Sequence, residues 1–477
     1  MNKASLAIAV LTLLVAGQLA AETIEGLTLH TQKLGERGLR LWLGDHATTT
    51  AVAALATRDG VVVIDTTDMP KADARFREII ARELGTDDFT YLILTHEHGD
   101  HWRGAKVWAD CQVVAHERAL QGMTSQLDDL PGVIEWTQRH IQEMEGEIAT
   151  AGSDEEKAVR TENLLAARAR LAGLEPGAQP PTPDITFSDR LTLDMGDMSL
   201  ELSYSGGIHS ASDIFVFVPE EGLLFTGDVM ADIWYTDQPG CLAGFRVRPG
   251  VAHDFPLLLE SWASLLARKG EIKDLIPGHW NGDISLEGFE RRHGYVKTLW
   301  EGIGAAVENG TRLDDLYARF GLQANFPGLV DSPGFSAENH AVSIFEIWRE
   351  ITGAESAAAA LARAIDARGT EQAMAEIRAA HASGAGNLYF LEHELNALGY
   401  QYLNQQKLDQ ALAVLELNAE LYPASWNVWD SLAEAHMIRG DRDRAVELYQ
   451  KSIAMNPDNQ NGKTMLERLA TAGEEIE

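Results

Sequence analysis

The sequence is short of several things, and each shortage narrows the reading. It has two cysteines, Cys111 and Cys241, in 477 residues. A fold stapled by many disulfides is therefore excluded; the two could form one disulfide in an oxidising compartment, but nothing in the sequence brings them together, and they read first as small buried hydrophobes. Positive charge is scarce, since 39 Lys and Arg stand against 72 Asp and Glu for a net charge of −33. Such a surface repels phosphate backbones, so no nucleic-acid partner is expected. After the first residues no stretch approaches the ~20 apolar residues of a membrane helix, so no membrane span is expected. No Gly-x-Ser-x-Gly elbow occurs, which leaves serine-based hydrolysis without its local signature.

What is present begins at the N-terminus. Lys3, the apolar run Leu6 to Val15, Gly17 and the pair Ala20-Ala21 have the order of a secretory signal peptide. We expect a signal over residues 1–21 and a periplasmic or secreted protein. No Cys follows the run to take a lipid anchor.

A chain of this length is expected to form two or three domains. "AVAALATRDGVVVID" (51–65) reads as two strands joined at Arg58-Asp59-Gly60, Ala72 to Leu84 has helical spacing, and "YLILT" (91–95) reads as a buried strand. That order predicts a layered α/β domain over residues 22–300. A helical insertion, about residues 120–183, interrupts it as a helix pair broken at Gly152 and stopped by "GLEPGAQPPTPD". Strand pairs resume at "LTLDMGDMSLELSYSGG" and "DIFVFVPEEGLLFTGD". Residues 301–385 read as a helical connector. Over 386–472 the chain repeats with a period of 34: Leu398 aligns with Leu432, Ala411 with Ala445 and Pro423 with Pro457. This period resembles that of tetratricopeptide repeats, which implies an all-α C-terminal domain able to bind a protein partner or a second copy.

The chemistry concentrates at Thr95-His96-Glu97-His98-Gly99-Asp100-His101. Three His and an Asp within six positions, directly after a strand, form a dense nitrogen and oxygen donor set of the kind zinc accepts. On an extended backbone His96 and His98 point the same way, which leaves Asp100 and His101 for a second ion.

The pattern His96-x-His98-x-Asp100-His101 resembles the signature of metallo-β-lactamase-fold hydrolases, and the likeness continues through "GGIHSASD", "LLFTGDVM" and "DLIPGHWNG", with Asp65 in "GVVVIDT" at the start. The resemblance implies an αββα sandwich and two zinc ions, one on His96, His98 and His209, the other on Asp100, His101 and His279, bridged by Asp228. It implies a metal-activated water as nucleophile, with Asp100 as the catalytic residue that orients it. Asp228 stands where the common zinc β-lactamases have Cys, which favours ester, thioester, lactone and sulfate-ester hydrolysis over β-lactamase activity. "NGTRLDDLYARF" and "NHAVSIFEIWREITG" distantly resemble the helical segment of secreted alkylsulfatases, although Trp102-Arg103-Gly104 and the repeat tail depart from that group. A mononuclear iron oxygenase of the same fold, and a repeat-based binding protein with the metal domain as scaffold, are the alternatives.

Other residues admit a plainer role. Trp102, Trp234 and Tyr235 follow ligand segments and are candidates for the substrate pocket or for packing. His46 sits in a hairpin loop and reads first as a turn residue, second as a residue over the site. Ser210 and Asp213 are candidates to fix the ring of His209 or another ligand. His340 and Trp348 read as core.

Overall fold

The computed structural model describes residues 22–46, 49–128, 130–174, 179–230, 247–248, 251–279, 285–329, 336–383 and 387–474. The expected signal peptide, Trp234, Tyr235 and Cys241 lie outside these residues. The chain divides into two compact units, residues 1–347 and 348–477. The boundary falls inside the helix Ala337–Thr352, so residues 301–347 of the expected connector belong to the first unit.

That unit is built on two sheets. The larger holds eight strands in chain order: β1 (Thr23–Ile24), β2 (Leu27–Leu34), β3 (Gly38–Leu43), β4 (Val52–Thr57), β5 (Gly60–Ile64), β6 (Phe89–Ile93), β7 (Gln112–His116) and β8 (Ile185–Phe187). Pairing is antiparallel up to β5 and parallel from β5 to β8. The smaller sheet has the order β13-β12-β11-β10-β9, made of β9 (Arg190–Asp194), β10 (Ser199–Tyr204), β11 (Ile214–Val218), β12 (Leu223–Gly227) and β13 (Asp274–Pro277).

The side-chain period of two sorts the apolar residues of each strand onto opposite faces. Val62 and Ile64 of β5 face the smaller sheet and pack with Leu202, Val216 and Phe225. Val61 and Val63 face outward and pack with Phe76, Ile79 and Ile80 of helix α1 (Pro70–Leu84). Burial on both faces explains why β5 reads Gly-Val-Val-Val-Ile without a polar break. The outer face of the smaller sheet is covered in the same way: Phe215 meets Trp262 of a helix at Phe255–Ala267 and Phe289 of a helix at Leu286–Glu308. Helix, sheet, sheet, helix is the expected αββα order.

Helix α2 (Gly99–Trp102) follows β6. Between β7 and β8 come α3 (Ala119–Asp128), α4 (Leu130–Ala149) and α5 (Asp154–Gly173), the expected insertion. Ser153 caps α5 by accepting from the Glu156 N–H, and Asp154, Glu155 and Glu156 lie in its first turn, where acidic charge is favoured. Ile141, Leu164 and Ala167 join α4 to α5.

The second unit is a stack of helices. Its successive helices start at Glu392, Leu408, Trp426, Arg442 and Gln460, so corresponding starts fall 34 positions apart, as the sequence period requires. Gly399 permits a close crossing, because a Cβ there would lie 2.5 Å from Leu415.

Asp73 of α1 is buried beneath the larger sheet. It accepts from the Thr67 N–H at 3.2 Å, the Thr67 hydroxyl at 2.6 Å and the Trp108 indole at 3.4 Å. Burial pushes its pKa up to about 7. The folded chain therefore keeps a proton that the unfolded chain releases between about pH 4 and 7. The stability this group contributes is complete below about pH 4 and is lost as pH rises through 7. Asp73→Asn is expected to flatten the stability profile between pH 5 and pH 8 by roughly 2–3 kcal/mol. Parallel slopes for the two proteins in urea titrations would rule this out.

Candidate metal centre

The polar residues meet where strands of both sheets end on one rim. His96 follows β6, His98 is extended before α2, and Asp100 and His101 lie on that helix. Asp228 follows β12, His279 follows β13, and His209 lies in the turn between β10 and β11. All seven predicted donors come together, in three overlapping groups: His96, His98 and His209; His96, His101 and Asp228; Asp100, His101 and His279.

His98 Nδ1 lies 3.0 Å from His96 Nε2 and 2.9 Å from His209 Nε2. On the other side, His279 Nε2 lies 3.1 Å from Asp228 Oδ2 and 3.4 Å from Asp100 Oδ2. One oxygen, Asp228 Oδ2, reaches His279, His101 and His209 at 3.1, 3.5 and 3.5 Å. These spacings approach the edges of a tetrahedron with bonds of about 2.0–2.1 Å. His101 Nε2 and Asp228 Oδ1 are fully buried without a hydrogen-bond partner. Buried polar atoms without partners are costly, and a cation held between His101 Nε2 and Asp228 Oδ2, 3.5 Å apart, would satisfy the imidazole. The donor set thus fits zinc or iron.

The electrostatics divide the site. Burial holds His96 and His209 well below the usual imidazole range, with neighbouring imidazoles adding to the effect. They are neutral and ready to donate a lone pair. Burial would also lower His101 and His279, but Asp228 and Asp100 outweigh it, raising His101 well above its usual value and His279 to about 9. Burial alone would raise Asp228, yet His279 and His101 keep it well below the carboxylate range.

Packing leaves no room for side chains at the rim. A Cβ on Gly278 would lie 2.4 Å from Asp228 Oδ1 and 2.9 Å from His101 Cε1. Gly206 and Gly207 have φ of +91° and +67°, and this left-handed pair turns the chain into His209.

Further residues hold the donors, and for Asp65, Glu97, Arg40 and Arg248 the sequence suggested no such role. Asp65, with φ +60°, accepts from the Thr95 N–H and hydroxyl, both at 2.8 Å, and its Oδ2 lies 2.9 Å from His101 Nδ1. That contact turns His101 Nε2 inward. Glu97 points away from the donors and accepts from the N–H groups of Ala211 and Ser212 at 2.9 and 3.0 Å. Asp213 accepts from the N–H groups of Ile208, His209 and Ser210 at 2.9, 2.7 and 2.8 Å. This corrects the expectation for Ser210 and Asp213, because they shape the backbone of the His209 turn rather than hold its ring. Buried Arg40 donates to the carbonyls of Pro277 and His279 at 3.1 and 2.6 Å, fixing the end of β13. Arg248 Nη1 lies 3.0 Å from His98 Nε2 and brings a positive charge to the rim.

The pocket candidates are placed differently. Trp102 is 2% exposed, packs in the core under the larger sheet, and donates its indole N–H to the Glu97 carbonyl at 2.8 Å. The helical turn of α2 aims it away from the donors. His46 is exposed, and its backbone N–H donates to Glu162 of α5 at 2.8 Å. His340 is core, between the Tyr295 hydroxyl and the Phe320 carbonyl.

Fold and site together define a protein of the αββα class with a clustered histidine and carboxylate centre. Residues 44–279, just under half of the chain, match the family model described as the metallo-beta-lactamase superfamily. The metallo-beta-lactamase type 2 of Bacteroides fragilis is 38% identical over 52 residues, 11% of this chain and 21% of that protein. The superkiller complex protein 3 of Mus musculus is 31% identical over 109 residues, 22% of this chain and 7% of that protein. The chain thus spans no more than about a fifth of either curated relative. Among solved structures, a metallo-beta-lactamase from Pontibacter korlensis is similar at 17% identity and a TM-score of 0.35, covering 56% of this chain and 99% of that one. The stereoselective inverting sec-alkylsulfatase Pisa1 from Pseudomonas sp. is similar at 13% identity and a TM-score of 0.46, covering 90% of this chain and 64% of that one.

Proposed function

We propose that this metal-dependent hydrolase holds two zinc ions and cleaves an ester-type, thioester, lactone or sulfate-ester bond. The observation that supports the reading is the convergence of seven nitrogen and oxygen donors around Asp228 Oδ2 and the buried His101 Nε2, which has no hydrogen-bond partner. His96, His98 and His209 would hold one ion, Asp100, His101 and His279 the other, with Asp228 between them. When bound, such ions ionise water near neutral pH and polarise the oxygen of the bond being cleaved. Asp100 accepts a hydrogen bond from the Thr50 hydroxyl at 3.3 Å, and this fixes the direction its carboxylate offers to a reacting water. The Arg248 guanidinium favours a substrate with an anionic group next to the scissile bond, which puts a sulfate ester ahead of a neutral ester.

The signal-like N-terminus supports export, and the 34-residue period supports a tetratricopeptide surface for a protein partner or self-association. The test is elemental analysis of protein from its native host, followed by turnover on a panel of esters, thioesters, lactones, β-lactams and sulfate esters. Two zinc ions per chain and turnover of one ester class are expected. One iron and no zinc would replace the reading with an oxygenase. No turnover by the zinc-loaded chain would leave a binding protein with a scaffold domain.

A further inference from the structure

Beside α2 lies a cavity of about 490 Å³ whose walls include Trp102, Trp108, Val113 and Leu174. It shares Leu127, Leu130 and Gln179 with a second cavity of about 770 Å³ between the start of α4 and Pro180. The two form one cleft between the helical insertion and the metal domain, and none of the seven donors lines it. Volumes of this size suit a small molecule.

The cleft is polar at its ends and apolar between. Arg103 and Lys106 stand at the inner end. The Arg103 guanidinium carbon lies 5.8 Å from the Trp102 ring centre, and its charge also acts on buried Asp68. Asp184, the acid on the inner wall, already accepts from the Val113 N–H at 2.8 Å. Asp128 and Glu135 lie at the outer end, where they repel an anion. A ligand that fits places its negative head at Arg103 and its chain past Leu127 and Leu130.

We propose that this cleft is a binding site, separate from the metal centre, for a single-chain carboxylate with an alkyl tail. The order of charges fixes its direction, with Arg103 and Lys106 on the side of the carboxylate head.

The probe is decanoate, titrated calorimetrically into the full chain. One site is expected. Octanoate, two methylenes shorter, is expected to bind roughly tenfold more weakly. Decanol, without the charge, is expected to lose at least tenfold. Arg103→Gln is expected to lower decanoate affinity by at least tenfold and to leave decanol binding nearly as it was. A diazirine-bearing decanoate on the unaltered chain is expected to label peptides around Leu127–Ile134 and Gln179–Pro181, which locates the site without any variant. Binding and labelling are expected to survive a chelator. Labelling near His96–His101, loss of binding on chelation, or equal affinity of the Arg103→Gln protein would each overturn the proposal. Zinc content and turnover are measured apart from these, so failure here leaves the hydrolase reading standing, and the reverse.

Discussion

Asp228→Ala is expected to lower kcat/KM by about a thousandfold or more. The argument rests on one oxygen. Asp228 Oδ2 lies 3.1 to 4.0 Å from the Nε2 atoms of His279, His101, His209 and His96. Take the carboxylate away and four buried imidazoles face one another without the anion that balances a cation between them. The loss falls unevenly. His96, His98 and His209 form a complete group of three nitrogens without Asp228, whereas the other side keeps only Asp100, His101 and His279, two of which are oriented toward the lost oxygen. Dialysed Asp228→Ala protein is therefore expected to keep about one zinc per chain and to lose the second. A further readout is independent of turnover. In the metal-free chain Asp228 is the main group that raises His279 to about 9, so the variant's His279 is expected to titrate lower by NMR. Asp228→Asn keeps the shape without the charge and separates electrostatics from collapse of the rim. Retention of two tightly held ions by the alanine variant would show that the carboxylate does not join the two groups.

The seven donors were legible because each follows a short, strongly patterned segment. Four lie within six positions, and "GGIHSASD", "LLFTGDVM" and "DLIPGHWNG" each place a donor where a strand runs out. The sheets were legible for a related reason, since β5 and β11 are buried on both faces and read as unbroken apolar runs. The groups that hold the donors were not legible, because their partners are distant in sequence. Glu97 meets Ser212 across 115 positions, and Arg40 meets His279 across 239. One signal for Glu97 was present: between two histidines that point one way on an extended chain, it must point the other. Trp102 stood between pocket and packing in the sequence because adjacency gives no direction; α2 starts at Gly99, and each further residue rotates about 100° around its axis. Arg248 had no sequence signal of any kind.

Asp65 carries the other large expected effect, and its backbone makes the test a discriminating one. Its φ of +60° is a conformation that Gly and Asn take readily and Ala does not. Its side chain accepts from both donors of Thr95 and contacts His101 Nδ1. Asp65→Gly relaxes the backbone and removes all three contacts. Asp65→Asn keeps backbone and shape but brings an amide in place of a carboxylate. Asp65→Ala loses the contacts and adds strain. If the residue acts by orienting His101, the glycine variant is expected to melt near the native temperature yet to bind zinc about 10- to 100-fold more weakly, with a matching fall in turnover. The asparagine variant is expected to lie between it and the native chain. The alanine variant is expected to lose the same metal affinity as glycine, plus about 1–2 kcal/mol of stability from the strained backbone. Should glycine lose stability as alanine does while keeping its zinc, the carboxylate would be a brace for the β5–β6 edge and not the group that aims His101 at the centre.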